Sequence, residues 1–549
     1  MQLSLFRSSI TAALFVVACG LQPVVAQADH LRELQTAAAE EKKADWGHWG
    51  IDADKYSTWF SHSNRLIPIY TFGLKLDEVR GVNSVYRDAQ RLKKLYGYEP
   101  QDTMNKQAEY FDQTDVARLQ QMAVDAGKKR VILIIFDGMD WQTTWAAAIH
   151  ASGQVGYQEG RGTGLHFQDY RGVDTDYGYF ACSPANEGTQ VDVDKQTLKN
   201  PGGDQKGGYA WQLAGSTPWT NASVLDYSLG KCKECPQAYT DSASSATSLC
   251  SGIKTFNDSI NVDAIGRPVE SIARKLQKQG FAVGVVTSVP ISHATPAAAY
   301  ANNVHRDDYQ DLTRDMIGLA SIAHPQEPLP GVDVLIGCGW GESKSSDKAQ
   351  GSNYIAGNPY LAQADLKAID AEQSAAGKYR VAQRTPGKSG REVLQTAAEA
   401  AAAKGQRLFG FFGVKGGHLP FRTADGKYDP TFSVPAAAES YSESDVRENP
   451  TLADFAAAAL TVLSKNDKGF WLMIEAGDVD WANHANNLDN SIGAVLCGDE
   501  AVKTVTDWIE AHGGWDDTAL IVTADHGHYF FLEKPKALLP STPAATAAK

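Results

Sequence analysis

The stretch V-I-L-I-I-F-D-G, residues 131–138, decides the fold. A continuous apolar run of this length, ended by an Asp-Gly turn, is typical of a strand that is buried on both faces of a parallel sheet. Similar apolar runs stand further along the chain, and stretches with helical patterns separate them. The runs cover residues 281–287, 332–336, 470–474 and 519–523, and the helical patterns include residues 452–463 and 502–511. This alternation predicts an α/β fold with a mostly parallel central sheet flanked by helices.

The 549 residues are organised unevenly around these strands. We predict a catalytic α/β domain over residues 131–530, preceded by a helical and irregular region over residues 29–130. Two long stretches with little periodicity are interpreted as insertions, and the Ala-, Pro- and Thr-rich end of the chain as a disordered tail. The insertions cover about residues 141–235 and 341–450, and the tail covers residues 531–549.

The first 28 residues have the anatomy of an export signal. Arg7 precedes a short apolar segment, and Ala26-Gln27-Ala28 offers a cleavage site, so we expect a periplasmic or secreted protein. The sequence V-V-A-C ending at Cys19 also resembles a lipoprotein cleavage box, which leaves membrane anchoring through that cysteine as an alternative. In an oxidising compartment the six other cysteines could form up to three disulfides, and we expect one to involve Cys182.

Composition and charge exclude several classes of protein. The chain is 43% hydrophobic and 21% charged, which is too apolar for wholesale disorder. No apolar run reaches the roughly 18 residues that a transmembrane helix needs. The net charge is −14, so the sequence predicts no nucleic-acid-binding surface. An anionic small substrate is still compatible with this charge, because bound metal ions can reverse the local field.

Polar side chains stand where several predicted strands end. Asp137 and Glu475 follow two of the apolar runs, and Asp525-His526 follows a third. Because ligands of open α/β sheets bind beyond the carboxyl ends of the strands, we expect these side chains to lie close together. Asp480 and His484 are four residues apart, so on a helix they would share a face and could reach one ion. Carboxylates with imidazoles suit zinc, and carboxylates with hydroxyls suit magnesium.

The segment T-D-S-A-S-S-A-T, residues 240–247, predicts a helix of small residues that begins near Ser242. A serine oxygen at a helix N-terminus lies at the positive end of the helix dipole, which favours an alkoxide and an incoming anion. By itself such a serine is an ordinary helix cap. Together with the polar strand ends it becomes a candidate nucleophile.

In this combination the chain resembles the alkaline phosphatase family. The resemblance runs in order from about residue 131 to residue 530, and its motifs are specific as a set. They are D-G-M (137–139), T-D-S-A-S-S-A-T (240–247), G-I-K-T (252–255), H-A-T-P-A-A (293–298), V-D-V-L-I-G (332–337), G-G-H-L-P (416–420), I-E-A-G-D-V-D-W-A-N-H (474–484) and V-T-A-D-H-G-H (522–528).

The resemblance implies a role for each matching residue. Ser242 would be the nucleophile that becomes phosphoserine, and Arg306, 13 residues after His293, would clamp the phosphate. Two zinc ions and one magnesium ion are implied as cofactors. Their ligands would be Asp480 and His484 for the first zinc; Asp137, Asp525 and His526 for the second zinc; and Asp137, Thr295 and Glu475, with His293 beside them, for the magnesium. His528 would steady a zinc ligand, and Trp481 stands where the family varies.

One expected ligand has no match where the resemblance places it. The family supplies a third ligand to the first zinc from a histidine well beyond the D-H-x-H segment, whereas here His528 is the sole histidine after His526. Three explanations are open: the chain is truncated, His418 or His528 substitutes, or the first zinc site is weak. With two protein ligands, zinc affinity would fall steeply.

The resemblance implies an exported phosphomonoesterase that acts on phosphate monoesters, and a homodimer by analogy. The alternatives are a catalytically impaired homologue that binds metal or phosphate, and a phosphodiesterase of the same superfamily. The missing histidine motivates the first alternative. The presence of the serine and of the third-metal residues disfavours the second.

Overall fold

The computed structural model describes residues 29–220, 225–228 and 237–540. The predicted export signal with Cys19, the cysteines at positions 232 and 235, and residues 541–549 lie outside this described part. Within it, the strands in chain order are β1 (Gly47–Trp49), β2 (His62–Ser63), β3 (Leu66–Phe72), β4 (Phe111–Asp112), β5 (Arg130–Phe136), β6 (Thr175–Ala181), β7 (Asn186–Glu187), β8 (Val191–Asp192), β9 (Thr197–Leu198), β10 (Gln205–Lys206), β11 (Ala282–Pro290), β12 (Val334–Cys338), β13 (Tyr379–Gln383), β14 (Arg407–Phe411), β15 (Phe470–Ala476), β16 (Thr518–Thr523), β17 (Gly527–His528) and β18 (Phe530–Leu532).

The α-helices of the described residues vary from single turns to one of 24 residues. They are α1 (His30–Glu41), α2 (Ala89–Tyr96), α3 (Thr114–Asp125), α4 (Trp141–Ser152), α5 (His166–Asp169), α6 (Trp211–Ala214), α7 (Leu225–Ser228), α8 (Ser242–Ser251), α9 (Ile272–Lys278), α10 (Ala294–Ala298), α11 (Tyr309–Ile317), α12 (Gln363–Ile369), α13 (Gly390–Lys404), α14 (Glu443–Arg447), α15 (Leu452–Leu463), α16 (Asp478–His484) and α17 (Leu488–Ala511). Short 3-10 turns cover Gly81–Asn83, Val85–Arg87, Val193–Lys195 and Pro535–Leu538.

A ten-stranded sheet forms the centre of the molecule, in the order β13-β14-β12-β11-β15-β5-β16-β3-β6-β4. The seven strands from β13 to β16 are parallel, whereas β3 pairs antiparallel with both β16 and β6. The predicted α/β class with a mostly parallel sheet is therefore confirmed. Its carboxyl-terminal edge collects the ends of β11, β15, β5 and β16 side by side.

The apolar run of residues 131–136 lies at the centre of this sheet. Residues 131–136 of β5 are fully buried between β15 and β16. Burying each large apolar side chain of such a strand stabilises the fold by about 1.5–3 kcal/mol. In the register of the sheet, Thr523 of β16 and Glu475 of β15 both pair with Ile135 of β5. The polar residues at the ends of these three strands therefore lie next to one another at the same edge of the sheet.

The region over residues 29–130, expected to be helical and irregular, contributes a strand to the central sheet. All seven residues of β3 are buried, and β3 covers the edge of β16. Pro68 lies inside this strand, where the missing N–H of a proline usually argues against a sheet position. The short strand β2 precedes β3 and pairs with β17, so this N-terminal segment reaches the edge where the site lies.

The expected insertion over residues 141–235 also takes part in the core. Helix α4 lies in the main hydrophobic cluster, with residues such as Trp141 and Ala146 buried, and β6 is a strand of the central sheet. The expected disorder of residues 531–549 does not hold for their first part. Strand β18 pairs with β1, and the 3-10 turn Pro535–Leu538 buries Leu538.

The expected disulfide at Cys182 is not formed. Cys182 is a free, buried thiol that lies 3.5 Å from the carbonyl oxygen of Arg65, and Cys250, Cys338 and Cys497 are free as well. Burial raises the pKa of the Cys182 thiol to about 12, so this cysteine is a small apolar core residue. In the part of the chain that the structure describes, no helix is long and apolar enough to cross a membrane.

Candidate metal and phosphate site

Three imidazoles and one carboxylate form the first group of close ligand atoms. Asp480 and His484 stand one turn apart on α16, His528 is on β17 and His62 is on β2. Oδ1 of Asp480 lies 2.6 Å from Nε2 of His528, 3.4 Å from Nε2 of His484 and 3.8 Å from Nε2 of His62. The antiparallel pairing of β2 with β17 sets His62 directly opposite His528.

His62 is the residue that the sequence analysis missed. The missing histidine was sought after position 526, whereas the structure supplies an imidazole from the N-terminal side of the chain. His418 does not take this place, because its Nε2 lies 3.1 Å from Glu439. One signal was available: His62 stands just before the apolar segment L-I-P-I-Y-T-F, residues 66–72, whose turn-like surroundings mark it as a strand.

Hydrogen bonds and burial set the state of the side chains in this group. Nδ1 of His484 lies 2.6 Å from the carbonyl oxygen of Phe60, which can only accept, so Nδ1 donates this hydrogen bond and Nε2 is the ring nitrogen on the side of Asp480. Burial lowers the pKa of His528 to about 4 and holds the pKa of His62 well below its usual range. Although burial acts in the opposite direction, His484 and His528 keep the pKa of Asp480 well below its usual range.

Asp137, Asp525 and His526 form the second group. Nε2 of His526 lies 3.2 Å from Oδ1 of Asp137 and 3.6 Å from Oδ2 of Asp525, and neither carboxylate oxygen accepts a hydrogen bond. The other oxygen of Asp525 accepts hydrogen bonds from the backbone N–H groups of Gly138 and His526. Burial raises the pKa of Asp137 and of Asp525 well above the ordinary value, and the neighbouring carboxylates add to this.

A third set of oxygen atoms lies behind Asp137. The Thr295 hydroxyl donates to Oδ2 of Asp137 over 3.2 Å, and the Thr287 hydroxyl donates to one oxygen of Glu475. The other Glu475 oxygen is buried without a hydrogen-bond partner, and burial raises the pKa of this carboxyl to about 8. Thr287, on β11, was not predicted from the sequence.

His293, which was grouped with the magnesium ligands, belongs to neither group of mutually close ligand atoms. Its Nε2 lies 3.5 Å from Nη2 of Arg306, and its ring stands edge-on to Trp481 with the centroids 5.8 Å apart. Burial and the charge of Arg306 lower the pKa of His293 to about 3. The structure therefore places a neutral imidazole beside the candidate phosphate clamp.

The donor sets fit divalent cations. Several buried carboxylates within a few ångströms of one another would repel strongly if they stayed ionised without a cation. Two groups combine carboxylates with imidazoles, which is the chemistry of zinc sites, and the third combines carboxylates with hydroxyls, which suits magnesium. The orphaned oxygens of Asp137, Glu475 and Asp525 are the buried polar atoms that such ions would satisfy.

Ser242 begins α8 next to the second group. Its Oγ lies 3.1 Å from Nε2 of His526, and its side chain is almost fully buried. Asp241 caps the helix by accepting the Ser244 N–H over 2.9 Å. The small side chains of α8 are all buried, which lets the helix start come close to the ligand groups.

Arg306 faces the same space from the loop after α10. Its Nη1 donates to Oδ2 of Asp241 over 2.9 Å, which fixes the direction of the guanidinium. Although burial acts in the opposite direction, Arg306 and the hydrogen bonds from Ser244 hold the pKa of Asp241 below its usual range. Apart from the contact of Nη2 with His293, the remaining guanidinium N–H groups can bind two oxygens of a phosphate as a fork.

A turn at Asn257 and Asp258 ties the serine loop to the arginine. Oδ1 of Asn257 accepts the backbone N–H of Asp241 over 3.1 Å and the Ser244 hydroxyl over 2.7 Å. Asp258 has φ +70°, and in this left-handed conformation its N–H donates to Oδ2 of Asp241 while its carbonyl accepts the Arg306 N–H. These two residues were not predicted from the sequence, because their role depends on the contact between Asp258 and Arg306, which are far apart in the chain.

These groups open into one cavity of about 790 Å³. Ser242, Arg306 and three members of the first ligand group, His62, Asp480 and His484, line it, so an ester in the cavity could reach the serine oxygen and this group. The described residues that line it are Phe60, His62, Ser242, His293, Arg306, Pro435, Ala436, Asp480, Trp481, His484 and Ala485.

Comparison with known proteins identifies the family of this chain. The family model described as alkaline phosphatase matches residues 225–543. Alkaline phosphatase H of Pseudomonas aeruginosa is 28% identical over 363 residues, covering 64% of this chain and 69% of that protein. The alkaline phosphatase of Escherichia fergusonii is 26% identical over 452 residues, covering 80% and 78%. The solved Thermus thermophilus alkaline phosphatase is 21% identical, covers 73% of this chain and 60% of that one, and has a TM-score of 0.42.

Proposed function

Since the chain belongs to the alkaline phosphatase family, we propose that it is an exported, metal-dependent phosphomonoesterase that uses Ser242 as its nucleophile. The observation that carries the proposal is the position of the Ser242 oxygen. It lies at a helix N-terminus, 3.1 Å from the second ligand group, in the cavity that Arg306 and the first ligand group also line. A phosphate monoester needs all of these elements, because its dianion repels nucleophiles and its alcohol is a poor leaving group.

The residues that would hold the cations follow from the three donor sets. His62, Asp480, His484 and His528 would hold one zinc, Asp137, Asp525 and His526 a second, and Asp137, Thr295 and Glu475 a magnesium. When bound, these cations supply Lewis-acid charge to the attacking and leaving oxygens of an in-line displacement.

The chain's own residues bind and orient the ester. Arg306, aimed by Asp241, holds two phosphoryl oxygens, and the start of α8 adds the positive end of a helix dipole. Ser242 Oγ loses its proton to solvent in the cavity and attacks phosphorus, while the bond from phosphorus to the ester oxygen breaks. The alcohol leaves after taking a proton from water. A water molecule then attacks the phosphoserine, the Oγ–P bond breaks, and inorganic phosphate is released.

The alternative of a catalytically impaired homologue that binds metal or phosphate is less well supported. It followed from the apparent lack of a third imidazole for the first site, and His62 provides that imidazole. No contact among the described residues favours a diester or a sulfate ester over a monoester.

The direct test is hydrolysis of p-nitrophenyl phosphate at alkaline pH with zinc and magnesium. We expect Ser242→Ala to lower kcat by about 10³-fold or more, in the range seen when nucleophiles are removed. Ser248→Ala is the matched control, because this serine lies on the same helix and donates to the backbone carbonyls of Ser244 and Ile253. Equal rates for the wild type and Ser242→Ala would refute the proposal. Binding of metal without Ser242-dependent turnover would support the impaired homologue instead.

Export and dimer formation are further parts of the proposal. Export rests on the signal-like pattern of residues 1–28, and a homodimer rests on family analogy. Cell fractionation and light scattering of the purified protein would test them. Recovery of the full-length chain in the cytoplasm, or of a monomer, would contradict the respective part.

A further inference from the structure

The cavity above Ser242 has two chemically different walls. The inner wall is the more buried one and carries Ser242, Arg306, His293 and three residues of the first ligand group. The outer wall is apolar and is built from three separate parts of the chain. Its residues are Phe60, Pro435, Ala436, Trp481 and Ala485.

Phe60 is fixed beside the first ligand group. Its carbonyl oxygen lies 2.6 Å from Nδ1 of His484, so its backbone position depends on a metal-ligand candidate. Phe60 is 61% exposed. It is not a lone exposed apolar residue, because Pro435 and Ala436 line the same cavity, and apolar residues grouped at a cavity are candidates for contact with a ligand.

Another part of this wall is a loop tip that two hydrogen bonds close. The backbone N–H and the hydroxyl of Ser433 both donate to the carbonyl of Ala436, over 3.0 and 3.2 Å. The loop therefore holds Pro435 at the cavity, next to Val434, whose side chain is also exposed. A wall fixed in this way needs little ordering when a ligand binds.

The charges around the mouth disfavour an alcohol that carries further anionic groups. Among the described residues that line the cavity, Arg306 is the one lysine or arginine, and Asp241 already engages it. Although burial acts in the opposite direction, Asp241 and then Tyr309, Asp258 and Asp307 raise the pKa of Arg306, so the charge of this arginine is already opposed by several negative groups.

We propose that this outer wall is a leaving-group subsite for monoesters of apolar, preferentially aromatic, alcohols. The inference rests on the proposed function, because an in-line attack by Ser242 sends the ester oxygen away from the serine. Phe60, whose carbonyl contacts His484 of the first ligand group, and Pro435 line the same cavity and are available to the alcohol group there. The aryl face would stack on Phe60, and the phosphoryl group would stay at the charged end.

The catalytic test compares benzyl phosphate with glycerol 1-phosphate, since both are esters of alkyl alcohols. The measured quantity is kcat/KM for benzyl phosphate divided by kcat/KM for glycerol 1-phosphate, with the zinc- and magnesium-loaded enzyme. We expect Phe60→Ala to lower this ratio by about three- to tenfold, as removal of an aromatic contact to a bound apolar group does. Val82→Ala is the control, because Val82 is 82% exposed and does not line the cavity.

A binding test separates the subsite from the proposed activity. Calorimetry measures the affinities of the metal-loaded protein for benzylphosphonate and methylphosphonate, which are not hydrolysed. We expect the wild type to prefer the benzyl compound and Phe60→Ala to lose about threefold or more of that preference. Equal preference in the two proteins, or no preference in the wild type, would overturn the subsite even if Ser242-dependent hydrolysis is found. A Phe60-dependent preference without any hydrolysis would support the subsite and refute the proposed function.

Discussion

Nε2 of His62 lies 3.8 Å from Oδ1 of Asp480, so a histidine near the start of the described chain joins a carboxylate near its end. The contact is possible because β2 pairs with β17 at the edge of the central sheet. It supplies the imidazole that the sequence analysis could not find after the D-H-x-H segment. The first ligand group therefore has three imidazoles and a carboxylate, which is enough protein ligands for a zinc site.

Replacing His62 tests this group directly. We expect His62→Ala to weaken zinc binding at one site by about 100-fold or more, because a lost ligand costs at least as much as a lost outer-shell partner. The measurements are zinc content after dialysis against dilute zinc and kcat/KM for a phosphate monoester. His512→Ala is the control, since the His512 ring stacks on Trp508 away from the site. A variant with unchanged zinc content and activity would show that His62 is not a ligand.

Removal of metal should destabilise the fold. Burial raises the pKa of Asp137 and Asp525, and an orphaned oxygen of Glu475 lies behind them, so these carboxylates need a cation to be satisfied. We expect a chelator to lower Tm by on the order of 5 °C or more and added zinc and magnesium to restore it. Differential scanning fluorimetry, with elemental analysis to verify removal, is the measurement. An unchanged Tm in verified metal-free protein would contradict the assignment of these groups to cations.

If Arg306 holds phosphate through paired N–H groups, lysine at this position should bind phosphate more weakly than arginine does. Arg306→Lys keeps the charge but loses the paired N–H groups and the contact with Asp241, so we expect inorganic phosphate to bind about 10- to 100-fold more weakly. Product inhibition by phosphate gives the affinity. Arg391→Lys is the matched control, because Arg391 is exposed and contacts Asp454. If phosphate inhibits the Arg306→Lys variant with the same inhibition constant as the wild type, the bidentate clamp is wrong.

The buried carboxyl of Asp115, outside the site, should make the free energy of unfolding depend on pH. Burial, and then the charge of Asp112, raise the pKa of Asp115 to about 7. Because this folded-state pKa is above the unfolded value, the contribution of Asp115 is full below about pH 4 and is lost as the pH rises through 7. We expect Asp115→Asn to be more stabilising at pH 8 than at pH 5, by on the order of 1–2 kcal/mol.

Urea unfolding of both proteins at the two pH values measures this difference, and other titrating groups cancel between wild type and variant. Asp516→Asn serves as the control at an exposed position. A gain from Asp115→Asn that is equal at pH 5 and pH 8 would mean that this carboxyl does not titrate in the expected range.

Strand β3 should be as important for stability as the parallel strands. Ile69 is fully buried between β16 and β6, so Ile69→Ala should destabilise the protein by about 2–4 kcal/mol through lost burial and a cavity. Chemical denaturation of the metal-loaded protein is the measurement, with Ile265→Ala as the control because Ile265 is 59% exposed. Equal effects of the two substitutions would show that the N-terminal segment is not part of the core.

Several features could be predicted from the sequence because they are local. The run at residues 131–136 indicated a buried strand, and the neighbouring apolar runs indicated a parallel sheet, which the structure confirms. The four-residue spacing of Asp480 and His484 placed two ligand candidates on one helical face. The small residues after Asp241 indicated a helix that begins with Ser242.

Other features depended on contacts that no local pattern contains. Thr287 meets Glu475 because β11 and β15 are neighbours in register, and His293 turns to Arg306 because the loop after α10 returns to α8. Phe60 has no distinguishing signal in the sequence, since only the closeness of its carbonyl to His484 places it at the cavity.

The sequence by itself determined the sheet, the polar strand ends and the candidate nucleophile, because hydrophobic periodicity and helix capping act within a few residues. Only the tertiary structure decided which histidine joins the first group of ligand candidates and which apolar side chains line the cavity. Both features depend on the pairing of strands that are far apart in the sequence, and the pattern of a single segment does not predict that pairing.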